Sequence, residues 1–295
     1  MFGGSTVSKI GFIFIGYNQT DELHYTLHNL RGHSQLADSP VSVVLSGDPD
    51  FIDPNASVVE HVPNIVQHSV DDLVKHLKDE DKLKRPGIGF NHYNEPASHW
   101  AGECASCSML RNYSVGAKNL HKLVGKDLDY VVVTESNILL LNWESIERVA
   151  NQIGEKSAVG AFETVTGYAD ANIPWGGADL FPQLFIMDWR FCVGTSFLFD
   201  MVNTRPDVME ITLRENLDRC LADAGKSFSH DILNFGNRGQ WGIHTKPDFV
   251  WFAHLDRPVG ADAYPEVRWA SREKQLNYER RLLPYFGQCL GDCRG

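Results

Sequence analysis

Nothing in this sequence approaches the roughly 20 consecutive apolar residues that a membrane-spanning helix needs. Its apolar run from Ile10 to Ile15 is the size of a strand. The first ten residues lack a charged start followed by an apolar stretch, so no secretory leader is expected and the chain reads as cytoplasmic. Basic residues are outnumbered: 27 Lys and Arg against 38 Asp and Glu leave a formal charge of -11 and a pI of about 5.5. A protein that neutralises phosphates along a polyanion carries the opposite balance, so no nucleic-acid partner is expected. No Gly-x-Gly-x-x-Gly follows the first apolar run, which disfavours the usual dinucleotide-binding fold. No Gly-x-x-x-x-Gly-Lys-Ser/Thr occurs, which removes the common phosphate-cradling loop. No internal repeat or low-complexity tract is present. Cysteines number six. Cys104/Cys107 and Cys289/Cys293 have spacings of two half zinc sites, but no knuckle-like Gly or His accompanies them, and they read as reduced, unconnected thiols.

What is present is an ordinary globular composition, 43% hydrophobic and 22% charged over 295 residues. That length fits one α/β domain with elaborations. Lys9 to Gly16 reads as a buried strand, because five of its residues are apolar and rich in β-formers. Leu23, Leu27 and Leu30 follow at helical spacing up to Gly32. Val41 to Leu45 and Val58 to Val62 are the next strands, and this alternation implies parallel pairing. An exposed amphipathic helix is expected over 71–85 and a long loop over 86–100, where Asn91 to Glu95 and His99 form either a lid or a solvated surface. A helix through Met109, Leu110, Val115 and Leu120 leads to a strand from Asp129 to Val133. Trp143 to Ile153 reads as a helix with Ile146, Val149 and Ala150 inward, and Ala158 to Phe162 as a strand. Tyr168 to Asp188, with Gly and Pro and no period, reads as a loop. Val193 to Asp200 and Phe249 to Phe252 read as strands, and Leu213 to Ala224 as a helix stopped by Gly225.

In an open parallel sheet, ligands bind outside the carboxyl ends of the strands. The polar residues at those ends are Tyr17, Asn18 and Gln19, then Ser46, Gly47, Asp48 and Asp50, then Glu135, Ser136 and Asn137. Arg111-Asn112 lies inside the helix between them. Further on come Ser229-His230-Asp231 and a strand ending in His254. This order of parts resembles the GT-A fold of nucleotide-sugar glycosyltransferases, especially family-2-like members, over roughly residues 9–256. Arg111-Asn112 resembles their Arg-Asn helix. Glu135-Ser136-Asn137 stands where they carry Asp-x-Asp, with Glu and Asn replacing the two aspartates.

The resemblance implies a single GT-A-like domain over 1–256, with a mostly parallel central sheet flanked by helices. The tail over 257–295 carries no motif and reads as a C-terminal helical extension packed on that domain. The resemblance also implies transfer of a sugar from a nucleoside-diphosphate donor to a hydroxyl of a glycan, a lipid-linked or a small acceptor. Tyr17, Asn18, Asp48, Arg111, Glu135 and Asn137 would hold the donor. Glu135, Asn137 and His254 would hold Mn²⁺ or Mg²⁺, and the loss of one charge at Asn137 weakens that set. Asp231 would deprotonate the acceptor in an inverting reaction, with His230 tuning it or acting as base. Structural roles stand beside each of these. Glu135 and Asn137 suit a helix cap, Arg111 a surface ion pair, Asp231 an N-cap and His254 a hydrogen-bonded core position. Trp175 and Asp179 offer an acceptor platform or plain packing. Two other functions remain open: a degenerate transferase that only binds nucleotide or glycan, and a sugar-nucleotide nucleotidyltransferase. The latter lacks its Gly-rich first turn here.

Overall fold

The computed structural model describes residues 8–17, 20–47, 49–62, 67–68, 102–103, 105–136, 138–140, 146, 149–150, 153–154, 157–164, 179–201, 209–229, 242–246 and 249–254. The expected helix over 71–85, the loop over 86–100 and the C-terminal extension lie outside them.

The first half alternates as its sequence implies. Strand β1 (Ile10–Tyr17) leads to helix α1 (Thr20–Gly32), then β2 (Val41–Ser46) and β3 (Val58–Val62). A short antiparallel pair, β4 (Gln67–His68) with β5 (Gly102–Glu103), precedes the long helix α2 (Ala105–Val124). Then come β6 (Tyr130–Glu135), β7 (Ile138–Leu140), β8 (Ser157–Thr164), β9 (Asp179–Asp188), helix α3 (Trp189–Thr195), helix α4 (Met209–Ala224), β10 (Ser227–Ser229), β11 (Gly242–Lys246) and β12 (Phe249–His254).

Seven strands form the central sheet in the order β10-β8-β9-β6-β1-β2-β3. Every pair is parallel except the two that β9 makes, with β6 and with β8. The fold is therefore α/β with a mostly parallel sheet flanked by helices. A second sheet, β11-β12-β7, is antiparallel.

The near-continuous apolar runs of β1 and β2 follow from burial on both faces. Alternate residues feed two separate cores. Ile13, Ile15, Val44, Val131 and Val133 pack with Leu110, Tyr113 and Leu120 of α2, and with residues of α3 and α4. Phe12, Phe14, Val43, Leu45 and Val132 pack with Leu23, Leu27 and Leu30 of α1. Ile146, Val149 and Ala150 are helical and buried in that second core, as their spacing requires. Each fully buried Phe, Ile, Leu or Val contributes about 1.5–3 kcal/mol relative to exposure. Helix α4 ends where Gly225 takes φ 60, a left-handed conformation that glycine adopts without steric cost.

Two expectations fail. The stretch over 168–188 is not all loop, because Asp179–Asp188 forms β9 in the middle of the sheet. Leu184, Phe185, Ile186 and Met187 are buried on both faces, and that erases the alternation by which a strand is recognised. The strand expected over 193–200 is the end of α3 followed by turns. The Asp188 side chain caps α3 by accepting from the Phe191 amide at 3.0 Å, and Ser196 closes it in the left-handed conformation at φ 56. Capping by a residue outside the run overrides the β preference of Val193 and Thr195.

Candidate functional site

The parallel strands β6, β1 and β2 end side by side, and registered residues of parallel neighbours share a face. Ile15 pairs with Glu135 and with Val44, and Tyr17 pairs with Ser46. Glu135 and Ser46 therefore both lie on the face that α2 covers, at the carboxyl edge of the sheet, with the Tyr17 backbone paired to Ser46. The Glu135 side chain is buried, with only 2% of its residue surface exposed. Ser136 follows, fully buried, with its amide donating to the Ile15 carbonyl at 2.8 Å.

Helix α2 delivers Arg111 and Asn112 to this edge. The Asn112 amide donates from Nδ2 to Ser46 Oγ at 3.2 Å, and both residues are buried. Arg111 donates from Nη2 to the same oxygen and from Nε to Asn112 Oδ1, each at 3.4 Å. Burial pulls the Arg111 guanidinium below the usual arginine pKa. The result is a half-buried cation beside a strand edge. The surface ion pair considered for Arg111 is not formed among the described residues.

Other strand ends point the same way. β9 pairs Leu184 with Thr134 and starts five residues earlier at Asp179, opposite Thr164. At about 3.3 Å per residue, β8 and β9 overhang the edge by more than 10 Å. Asp179 thus stands on a wall beside the Glu135 strand end. β10 runs parallel to β8, and its last residue Ser229 directly precedes His230 and Asp231. In the second sheet, the backbone of His254 pairs with that of Ile138, the neighbour of Asn137.

The structure thus gathers Arg111, Glu135 and the backbones of Tyr17 and His254 around one edge. Asn18, Asp48, Asn137, His230 and Asp231, like Trp175, lie outside the described residues, as does Cys104 with Cys289 and Cys293. Cys107, Cys192 and Cys220 are buried. Among the described residues, no group of three or more His, Cys, Asp or Glu side chains could hold a metal ion. No described helix is long and apolar enough to cross a membrane.

The Ser46–Asn112 contact was not legible in the sequence, where the two are 66 residues apart. A second polar cluster was also missed. Asp53, in the crossover between β2 and β3, sits 2.5 Å from Nδ1 of His24 on α1, whose ring lies against Phe51 with centroids 4.5 Å apart. Asp53 also accepts from the Asn55 amide at 2.7 Å. Arg31, about two turns further along α1, donates to the carbonyls of Asn55, Ala37 and Ser39. Together these pin the crossover along α1. Acidic and basic residues spaced this way in sequence carry no signal of contact.

No protein-family model matches the chain, and no curated protein matches it. Among solved structures it is similar to the galactosyltransferase LgtC in complex with donor and acceptor sugar analogues, at 7% identity over 70% of each chain and a TM-score of 0.37. Mouse xyloside xylosyltransferase 1 is similar at 8% identity over 72% of this chain and 76% of that one, with a TM-score of 0.32. The mannosyltransferase Ktr4p from S. cerevisiae is similar at 12% identity over 71% of this chain and 67% of that one, with a TM-score of 0.35.

Proposed function

We propose that the chain is a glycosyltransferase that moves a sugar from a nucleoside-diphosphate donor to a hydroxyl acceptor on a glycan, a lipid-linked or a small molecule. The observation that carries this reading is that a buried carboxylate, Glu135, ends one strand and a half-buried cation, Arg111, reaches Ser46 at the end of another, both at the carboxyl edge of one α/β sheet. That edge is where such sheets bind ligands. A diphosphate needs positive charge and donors, and Arg111 supplies both in a partly desolvated setting.

In this reading Tyr17, Asn18 and Asp48 hold the nucleoside, and Arg111 the diphosphate. Glu135, Asn137 and His254 would hold a divalent metal. Two oxygens and one imidazole nitrogen suit Mn²⁺ better than Mg²⁺. The β7–β12 register supports this set, because it brings the His254 backbone beside the residue that follows Asn137. When bound, such an ion neutralises charge that develops on the departing diphosphate. Asp231 is the base that takes the proton from the acceptor hydroxyl, assisted by His230, and direct attack by that oxygen inverts the anomeric centre. The direction of β10, which ends at Ser229, supports this role.

The test is a thermal-shift screen of the diphosphates of uridine, guanosine, cytidine and thymidine, with and without Mn²⁺. A rise in Tm with one nucleotide, larger with Mn²⁺, is expected. No shift with any of them would sink the transferase reading. A shift without turnover of any donor would mark a binding module instead.

A further inference from the structure

The hydrogen-bond directions around Ser46 are fixed by chemistry. Arginine has only donors. The Arg111 Nε contact at 3.4 Å therefore makes the facing Asn112 atom the amide oxygen, and the Asn112 nitrogen is the atom turned to Ser46 at 3.2 Å. Ser46 Oγ thus accepts from Asn112 Nδ2, and at 3.4 Å from Arg111 Nη2 as well. A hydroxyl has two lone pairs and one proton. Both lone pairs are engaged, so the Ser46 hydroxyl can act outward only as a donor. Among the described residues nothing accepts that proton.

We propose that Ser46 is a ligand-binding residue that donates its hydroxyl hydrogen bond to a phosphate oxygen of the bound diphosphate, and that Asn112 is the positioning residue that sets this polarity. The inference rests on the reading of this edge as a diphosphate site. Ser46 is the last residue of β2, on the Arg111 side of the sheet, so its proton and the guanidinium form one donor array. The present contacts are at the long end of the hydrogen-bond range. A charged ligand tightens such contacts, because hydrogen bonds to an ion are shorter and stronger than neutral ones.

Four variants of the full chain, titrated with inorganic pyrophosphate in metal-free buffer and each checked for Tm, test this. Ser46→Thr keeps the hydroxyl and Ser46→Val replaces it at nearly equal volume. Ser46→Val should bind about tenfold or more weakly than Ser46→Thr, the range expected for one hydrogen bond to a charged group. Asn112→Asp is close to isosteric but accepts where Asn112 donates. It turns the Ser46 proton inward and offsets the Arg111 charge, so affinity should fall about tenfold or more while Tm holds. A residue with a purely structural role would lower Tm instead. Arg111→Ala reports on the underlying reading and should abolish binding. If Arg111→Ala loses binding while Ser46→Val and Asn112→Asp match the wild type, the Ser46 inference is wrong and the diphosphate reading stands. If Arg111→Ala binds like wild type, or wild type does not bind pyrophosphate, the diphosphate reading fails and takes this inference with it.

Discussion

Gly16 is the position where a single methyl group should disturb both stability and the site. A Cβ built there lies 2.2 Å from Ser136 Oγ, 2.8 Å from Ser136 Cβ and 3.2 Å from Leu45 Cδ2. Rotation of Ser136 can move its oxygen, but its Cβ moves only with the backbone. That backbone is held by the Ser136 amide bond to the Ile15 carbonyl at 2.8 Å. Gly16→Ala would gain about 0.5–1 kcal/mol from lost unfolded-state freedom. Overpacking in a core costs typically about 1–3 kcal/mol, and contacts this short belong at the upper end of that range. The net expectation is a loss of about 1–2 kcal/mol, which lowers Tm by roughly 2–8 °C in a chain of this size. Because Ser136 lies between Glu135 and Asn137, nucleotide-dependent shifts should also shrink. A double-mutant cycle gives the assay its force. Ser136→Gly removes both close atoms and should restore most of the Gly16→Ala loss, whereas Ser136→Ala removes only the oxygen and should restore less. Urea unfolding measures each step. Additive losses in Gly16→Ala/Ser136→Gly, with no coupling beyond about 0.5 kcal/mol, would refute the contact.

Other outcomes follow from the same structure. Glu135→Ala should weaken nucleotide binding in the thermal-shift screen, and unchanged affinity would move the site elsewhere. Asp231→Asn should keep nucleotide binding and abolish sugar transfer; retained turnover would remove Asp231 as the base. Trp189→Phe deletes the donor of the 2.9 Å bond from Nε1 to the Gly125 carbonyl, inside a fully buried residue. It should cost about 1–3 kcal/mol in urea unfolding, and a loss below 0.5 kcal/mol would show the bond to be dispensable. Burial pushes the Cys192 thiol up to about 12, so it stays protonated through pH 7–9. Native protein treated with iodoacetamide at pH 8 should show Cys192 unmodified by mass spectrometry and modified after denaturation. Rapid native alkylation would contradict the buried placement.

Elements whose cause is local were legible from the order of residues alone. β1, β2, β3 and α1 were legible because an apolar run or a Leu stripe announces burial without reference to any partner. The inward face of Ile146, Val149 and Ala150 and the stop at Gly225 were legible for the same reason. The polar strand ends were legible too, since a parallel sheet fixes where ligands sit before any side chain is placed. The remaining features depend on long-range pairing. β9 lacks alternation because both its faces are covered, and its antiparallel insertion between β6 and β8 depends on pairing that no local pattern encodes. α3 depends on a cap outside its own run. The contacts at the candidate site, Arg111 and Asn112 on Ser46 and the His254 backbone beside Ile138, join residues far apart in the chain. Hydrophobic burial acts on residue type and can be read one residue at a time. Hydrogen bonds and charge act through distance and direction, which exist only after the chain has folded.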